Sequence, residues 1–363
     1  MKICIVAGAR PNFIKVAPLI RAIQHTDGIS YQLVYAGKAD DLTLETTLFD
    51  DLQIPRPDVF LGVESTSLNE LTGMVMGAFE DYLEKNATDV VVVVDDLAST
   101  MAAAIVTKKQ GILLAHLVAG TRSFDIKMPK EINRLVIDGL SDLLFTAGMS
   151  NNSITNREGA EQSRVYMVGN ILIDNLRFNH SRWQRPAMMD ELKLEDRGYI
   201  VFTLNRKALI ANEENLCKML QAILLKADNV PVVAPLRGAA RKTVERLYAQ
   251  LSEHKTVGKL YLVDALPYLE FGYLTAHAKG IITDSGNVAE EATFNGVPCI
   301  TLNSYTEHIE TVKYGTNVLV GEDPEQLAEE VGKMVGGQWK SHSLPDRWDG
   351  RTAERIVQIL LNR

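Results

Sequence analysis

The chain has few cysteines, and none of them is spaced for a metal or a redox pair. Its 363 residues include three, Cys4, Cys217 and Cys299, and no C-x-x-C motif. Cys4 and Cys299 lie in short apolar runs typical of buried strands. We therefore expect reduced, structural thiols and no metal site, as in a cytoplasmic protein.

Long apolar runs and excess positive charge are also lacking. No run of 18 apolar residues occurs, and the apolar start of the chain is too short for a signal peptide, so neither a membrane span nor a leader is expected. The net charge of −8 disfavours nucleic acid as a partner, although a local basic pocket for one diphosphate is compatible with it. The content of 46% hydrophobic and 23% charged residues excludes a disordered chain.

Short apolar runs alternate with amphipathic stretches along almost the whole chain. The runs are continuous and rich in β-branched residues, as in parallel strands covered on both faces. This pattern predicts an α/β fold with right-handed crossovers. Strands are expected at 3–7, 32–35, 90–94, 113–118, 143–146, 165–168, 200–204, 230–234, 260–263, 280–283, 299–302 and 318–320.

The chain is too long for one compact domain and suits two. Six predicted strands lie on each side of a connector at 175–197, which holds Trp183, Pro186 and mixed charge. We predict a GT-B architecture, in which two Rossmann-like, doubly wound domains face a cleft. The first domain is expected at 1–172, with the terminal helix at 350–363 packed on it, and the second at 173–349.

Two strand-to-helix turns are candidates for anion binding. The first strand runs into Gly8, Arg10 and Asn12; Asn12 is the predicted N-cap, and Arg10 and Lys15 can face a diphosphate. The alternative is an ordinary turn, since G-x-G-x-x-G is absent.

The second turn holds Ser285 and Gly286 before a helix with Glu290 and Glu291. Ser285 and the following amides can hold a phosphate at the positive end of the helix. One of the two glutamates can accept both hydroxyls of a ribose. The alternative for Glu290 and Glu291 is a capping role at the helix N-terminus.

Asp95 and Asp96 directly follow five valines, at the end of a predicted buried strand where open α/β sheets bind ligands. Two adjacent shielded acids raise at least one pKa, which suits a general base. The alternative is a solvated loop with an aspartate cap. A solvated surface is also predicted for Lys130, Glu131 and Arg134, and His116 is predicted as a satisfied core histidine.

Taken in order, these segments resemble the UDP-N-acetylglucosamine 2-epimerase family over nearly the whole chain. The resemblance is carried by 8–11 with Lys15, 115–123, 129–134, 168–170, 284–292 and Thr306-Glu307. It implies interconversion of UDP-GlcNAc and UDP-ManNAc by elimination of UDP to a glycal and re-addition on the other face. That chemistry needs a base, an acid and a clamp on UDP, and no cofactor.

The resemblance also assigns site residues and partners. It places Asp96 at the family's catalytic aspartate, with Glu131 and the extra acid Asp95 as further catalytic candidates. It implies a homodimer and a part in cell-surface polysaccharide biosynthesis. The residues that it assigns to UDP-sugar binding are Arg10, Lys15, Phe271, Ser285, Gly286 and Glu291.

Several positions depart from the family pattern. Val118 and Lys130 stand where the family has catalytic glutamates, and Asn205 stands where it has a histidine. A valine transfers no proton, and an asparagine does not titrate near neutrality. Three hypotheses follow: a weak epimerase that uses Asp95, Asp96 and Glu131, a UDP-sugar-binding protein without catalysis, or a GT-B enzyme with altered activity.

Overall fold

The structure is a computed structural model, and it describes residues 1–44, 47–253 and 258–363. The chain divides into two compact units, each built around its own sheet. Unit 1 comprises Met1–Asn179 and Asp346–Arg363, and unit 2 comprises His180–Pro345. Among the described residues, no helix is both long and apolar enough to cross a membrane.

Unit 1 contains a seven-stranded parallel sheet in the order β3-β2-β1-β4-β5-β6-β7. Its strands are β1 Lys2–Ala7, β2 Ser30–Tyr35, β3 Val59–Phe60, β4 Val90–Val94, β5 Leu113–Ala119, β6 Leu143–Thr146 and β7 Val165–Met167. The helices between them are α1 Arg10–Gln24, α2 Leu48–Leu52, α3 Leu68–Lys85, α4 Ala98–Lys109, α5 Pro129–Leu140, α6 Met149–Arg157 and α7 Ile171–Asn179.

Unit 2 contains a six-stranded parallel sheet in the order β10-β9-β8-β11-β12-β13. Its strands are β8 Ile200–Phe202, β9 Val232–Pro235, β10 Leu260–Val263, β11 Gly280–Thr283, β12 Cys299–Thr301 and β13 Asn317–Leu319. Its helices are α8 Met188–Glu191, α9 Lys207–Ala211, α10 Glu213–Ala227, α11 Gly238–Glu253, α12 Tyr268–Ala276, α13 Gly286–Asn295, α14 Ile309–Lys313 and α15 Pro324–Val335.

The last helix, α16 Thr352–Leu361, returns to unit 1 and packs against α1 and α7. Asp174 on α7 accepts hydrogen bonds from the amides of Thr352 (3.1 Å) and Ala353 (2.8 Å) at the start of α16. A Cβ on Gly169 would lie 2.5 Å from the carbonyl oxygen of Arg347, so the returning backbone requires glycine there. The predicted boundary at 172/173 falls at the beginning of α7, which lies wholly in unit 1.

The prediction of parallel sheets and alternating helices is confirmed. The twelve predicted strands correspond to strands of the structure, and the two-residue β3 was not predicted. The strands were recognisable because they are buried on both faces and consist of apolar runs; all five valines of β4 are fully buried.

Each sheet has a point at which its strand order reverses. In unit 1 this point lies between β1 and β4, and in unit 2 it lies between β8 and β11. The crossovers leave the two central strands in opposite directions, which opens a crevice beyond their carboxyl ends. The segments after these four strands hold most of the predicted site residues.

Candidate functional site

The turn after β1 is tightly packed. A Cβ on Gly8 would lie 2.0 Å from a hydroxyl oxygen at the start of α4, so the turn requires glycine. The prediction of Asn12 as N-cap is wrong, since α1 begins at Arg10 with Pro11 in its first turn and Ala9 as N-cap. Asn12 lies inside the helix, where its Oδ1 accepts a hydrogen bond from the Gly8 amide (2.8 Å).

Asp95, directly after β4, is held by three groups. Its Oδ1 lies 2.6 Å from Lys15 Nζ, and its Oδ2 accepts from Asn12 Nδ2 (3.0 Å). Its main-chain carbonyl lies 2.9 Å from His116 Nε2. The backbone of Asp95 has φ 58°, in the left-handed region. The alternative of a solvated loop is therefore wrong for this residue, which forms an internal ion pair.

Asp96 is the buried carboxylate of this edge of the sheet. Its Oδ2 accepts from Arg134 Nε (2.8 Å) and Nη2 (2.5 Å), and its Oδ1 lies 3.4 Å from Lys130 Nζ. Burial raises the pKa of Asp96, but the charges of Lys130, Arg134 and Lys15 outweigh burial and hold this pKa below its ordinary value. The expectation of a raised pKa is thus wrong for Asp96, because these neighbouring cations keep it ionised.

Glu131 anchors the loop before α5. Its carboxylate accepts from the amide (2.9 Å) and hydroxyl (3.0 Å) of Ser123, from the Phe124 amide (2.9 Å) and from Arg134 Nη1 (3.0 Å). Burial raises the pKa of Glu131, and these donors more than offset that effect and lower it. The predicted solvated surface is confirmed for Lys130, whose side chain is 57% exposed, and is wrong for Glu131 and Arg134, which are buried.

The end of β5 is irregular at Val118. The pairing of β5 with β6 shifts between Leu117 and Ala119, so that Val118 forms a bulge. Val118 has φ 73°, which is a rare conformation for a β-branched residue. The next turn is fixed by Gly120, also at φ 73°, whose amide donates to Asp138 Oδ2 (3.0 Å).

His116 lies inside β5 and is buried, as predicted for a core histidine. Its Nδ1 lies 2.5 Å from Asp138 Oδ1, and Arg122 Nη1 lies 2.7 Å from Asp138 Oδ2. Arg122 also pairs with Glu158. Burial raises the pKa of Asp138, but His116 and Arg122 more than offset this effect and hold the pKa below its ordinary value, so this carboxyl is ionised. No sequence pattern indicates this cluster, because the residues of its three ion pairs lie 16 to 36 positions apart.

In unit 2, one carboxylate ties two segments at the point where the strand order reverses. Asp284 Oδ2, directly after β11, accepts from the amides of Asn205 (2.7 Å) and Arg206 (2.6 Å), which follow β8. The hydroxyls of Thr203 and Thr283 lie 2.6 Å apart beneath this link. The side chain of Asn205 is thereby placed, exposed, at the carboxyl end of β8.

The start of α13 is shaped by a histidine. Ser285 is the N-cap and Gly286 the first residue; a Cβ on Gly286 would lie 2.8 Å from the ring of His308. His308 Nδ1 lies 2.9 Å from Oε1 of the buried Glu290. The capping role considered for Glu290 and Glu291 is wrong, since neither lies in the first turn of α13 and Glu290 pairs with His308.

The remaining predicted residues are placed as follows. Arg10 is half-buried at the first position of α1, and Glu291 is buried on α13. Phe271 lies on α12, half-buried against the core of unit 2. Unit 1 thus carries Arg10, Lys15, Asp95, Asp96 and Glu131, and unit 2 carries Ser285, Gly286, Glu291 and Phe271.

Comparison with known proteins identifies the family of this chain. The model of the family described as UDP-N-acetylglucosamine 2-epimerase matches residues 21–361. A protein of Methanococcus maripaludis named UDP-N-acetylglucosamine 2-epimerase homolog is 35% identical over the full length of both chains. The chain belongs to the UDP-N-acetylglucosamine 2-epimerase family.

The chain is also similar to a second named epimerase and to a solved epimerase structure. The UDP-2,3-diacetamido-2,3-dideoxy-D-glucuronate 2-epimerase of Pseudomonas aeruginosa is 33% identical over 93% of each chain. The crystal structure of Methanocaldococcus jannaschii UDP-GlcNAc 2-epimerase in complex with UDP-GlcNAc and UDP is 32% identical, covers all of both chains and has a TM-score of 0.87. The fold predicted from the sequence, two Rossmann-like units of the GT-B type, is confirmed by this family's structures.

Proposed function

We propose that this member of the epimerase family interconverts UDP-GlcNAc and UDP-ManNAc, slowly, with Asp96 as its base. The observation that carries the proposal is a buried, ionised carboxylate at the point in unit 1 where the strand order reverses. Asp96 can take the C2 proton while the C1–O bond to UDP breaks, which leaves a glycal and UDP. UDP then returns to C1 on the face that it left, and a proton from water adds to C2 on the opposite face, which completes the reaction.

Each unit carries residues that are proposed to bind UDP. Arg10 is a cation at the first position of α1, and Lys15 follows in the second turn. Ser285 and Gly286 lie at the start of α13, where amides and the helix dipole favour an anion. A diphosphate suits both segments. Glu291 is proposed to accept the two ribose hydroxyls, and Phe271 to contact the uracil.

The slow rate follows from the groups around Asp96. Its lowered pKa makes Asp96 a weak proton acceptor. Val118 has no titratable group, and Asn205 does not titrate near neutrality. Loss of one acid or base commonly costs about 10²- to 10⁴-fold. We therefore expect turnover far below that of a site with a full set of proton carriers.

A second candidate function is UDP-sugar binding without catalysis. It is favoured by the state of the two other acids, because Asp95 is paired with Lys15 and Glu131 accepts four hydrogen bonds. Neither is arranged as a proton carrier. Under this alternative the proposed diphosphate-binding residues hold the UDP-sugar, and no side chain transfers a proton.

The deciding experiment is incubation with UDP-GlcNAc in D₂O. The expected products are UDP-ManNAc, deuterium at C2 of both sugars and a trace of free UDP. Asp96→Asn should abolish deuterium incorporation and keep UDP binding, which calorimetry measures. The control is Asp142→Asn, on a half-buried carboxylate paired with Lys108. Wild-type UDP binding without deuterium incorporation would establish the second candidate, and exchange that survives Asp96→Asn would show that another group is the base.

A further inference from the structure

The ring of His116 lies between two hydrogen-bond acceptors. Nδ1 lies 2.5 Å from Asp138 Oδ1, and Nε2 lies 2.9 Å from the main-chain carbonyl oxygen of Asp95. A neutral imidazole carries one proton and can donate to only one of two acceptors. The second nitrogen would then face an oxygen lone pair at hydrogen-bond distance, which is repulsive. The proton count of the ring therefore depends on whether Asp138 can itself donate.

Asp138 is an acceptor at both oxygens. Its Oδ2 receives the amide of Gly120 (3.0 Å) and lies 2.7 Å from Arg122 Nη1, while Oδ1 faces His116. The Gly120 amide and the buried guanidinium of Arg122 both favour the ionised form of this carboxyl, which then carries no proton to give. The carbonyl of Asp95 can only accept. Both ring nitrogens of His116 must then be donors.

The charges around the ring support the same assignment. The groups that face it or its direct partners come from α1, from the ends of β4 and β5, from α5 and from the segment after α6. They are three acids and, apart from His116, two bases: Asp95, Asp138 and Glu158 against Lys15 and Arg122. A protonated His116 brings the count to three cations and three anions. A neutral ring would leave this cluster with a net charge of −1, which falls on Glu158, whose side chain is 36% exposed.

The carbonyl that His116 holds belongs to the peptide between Asp95 and Asp96. Asp95 sits at φ 58°, so the direction of this peptide is set by its contacts and not by a preferred backbone conformation. The next carbonyl, that of Asp96, is held by Asn133 Nδ2 (2.8 Å). Together the two contacts fix the peptides on both sides of the Asp96 Cα, and thus the position from which its side chain projects.

We propose that His116 donates a hydrogen bond from each ring nitrogen and is a positioning residue, which fixes the Asp95–Asp96 peptide and so aims the carboxylate of Asp96. His116 exchanges no proton with substrate. Only the last part of this inference, that Asp96 is the group being aimed for catalysis, rests on the proposed function.

The charge state is tested without any activity. Protein labelled with ¹⁵N-histidine is studied by two-bond ¹H–¹⁵N correlation at pH 8. An ordinary histidine is neutral at this pH because its pKa is about 6.5. Among the seven histidines, one ring with both nitrogens protonated is expected, and it should vanish in His116→Gln. Absence of such a ring in the wild type overturns the proposal. So does a signal that vanishes in His308→Gln instead, and this comparison holds even if His116→Gln does not fold.

The positioning role is tested with Asp138→Asn, which removes the counter-charge and leaves the histidine in place. His116 should lose one ring proton at pH 8, and C2 deuterium exchange should fall about 10- to 100-fold while affinity for UDP changes less than about twofold. His25→Gln, at the exposed end of α1, is the control and should change neither. Loss of the ring proton without loss of exchange overturns the positioning role. A wild type that shows no exchange argues against the proposed function alone, since the NMR result still stands.

Discussion

Val118 holds a backbone conformation that valine disfavours. At φ 73° its branched Cβ crowds the neighbouring carbonyl; such a conformation costs about 1–3 kcal/mol and persists only where the surroundings impose it. Here the surroundings are the bulge in β5 and the bond from Gly120 to Asp138. The strain is stored at the carboxyl end of a central strand, beside the proposed base.

We predict that Val118→Gly raises the free energy of unfolding by about 1 kcal/mol, because glycine adopts this conformation without strain. The half-buried valine side chain contributes little packing to set against that gain. Chemical denaturation measures the difference. Val93→Gly, in the buried β4, is the matched control and should cost about 3 kcal/mol. A loss of stability in both variants would mean that the position is not strained.

A second prediction concerns Glu291 of α13. Glu291→Gln should weaken binding of UDP and leave that of inorganic pyrophosphate unchanged, since a carboxylate that accepts two ribose hydroxyls matters only when the ribose is present. The loss should be about 1.5–3 kcal/mol. Calorimetry with both ligands measures it. Equal losses for the two ligands would show that Glu291 does not bind the ribose.

Between elements, a buried carboxylate with a raised pKa joins α7 to α16. Burial raises the pKa of Asp174 to about 6, although the amides of Ala353 and Thr352 act in the opposite direction. The folded state therefore holds this proton more tightly than the unfolded state does. The associated stability is complete below about pH 4 and is lost as the pH rises through 6.

We predict that Asp174→Asn gains stability relative to the wild type as the pH is raised from 4 to 7, because the uncharged amide bears no cost of ionisation. Thermal unfolding at constant ionic strength measures the difference. Asp349→Asn is the control: Arg355 lowers the pKa of Asp349, so its stabilising charge is present above about pH 4 and its removal should only destabilise. A pH-independent difference for Asp174→Asn would show that this carboxyl titrates normally.

The same elements show where sequence reasoning succeeds and where it stops. Apolar runs such as β4 reveal buried strands because burial on both faces leaves no polar position, whereas β3 has only two residues and no such pattern. Asp96 was found because it follows a buried strand, at the end where open α/β sheets bind ligands. Its partner Arg134 lies 38 residues away and was predicted on the surface. Contacts of that kind arise from strand order, which periodicity does not encode.

For the molecule as a whole, the main feature is that unit 1 is formed by two separate segments of the chain. Its last segment, 346–363, follows all of unit 2 in the chain and supplies α16. On α16, Ile356, Val357 and Leu360 are at most 4% exposed. Burial of three such side chains contributes roughly 5–9 kcal/mol, which is comparable to the stability of a typical domain.

We therefore predict that a chain ending at residue 345 loses the structure of unit 1 and keeps that of unit 2. Hydrogen exchange followed by mass spectrometry should show protection lost in β1 and β4 and retained in β8 and β11. Removal of only residues 362 and 363, which follow α16, is the control and should leave both sheets protected. Protection of β1 and β4 in the shorter chain would show that α16 is dispensable.

The interruption of unit 1 also sets an order of events during synthesis. Ribosomes add about 5–20 residues per second, so residues 180–345 take on the order of 10–30 s to appear. During that interval α1 and α7 are present without α16, and the apolar surface that it later covers is open to water or to other chains. Unit 2 can complete its sheet first, although it starts later. The N-terminal half of this protein is thus the last to be finished, and it is the half that a cell's chaperones have the most time to meet.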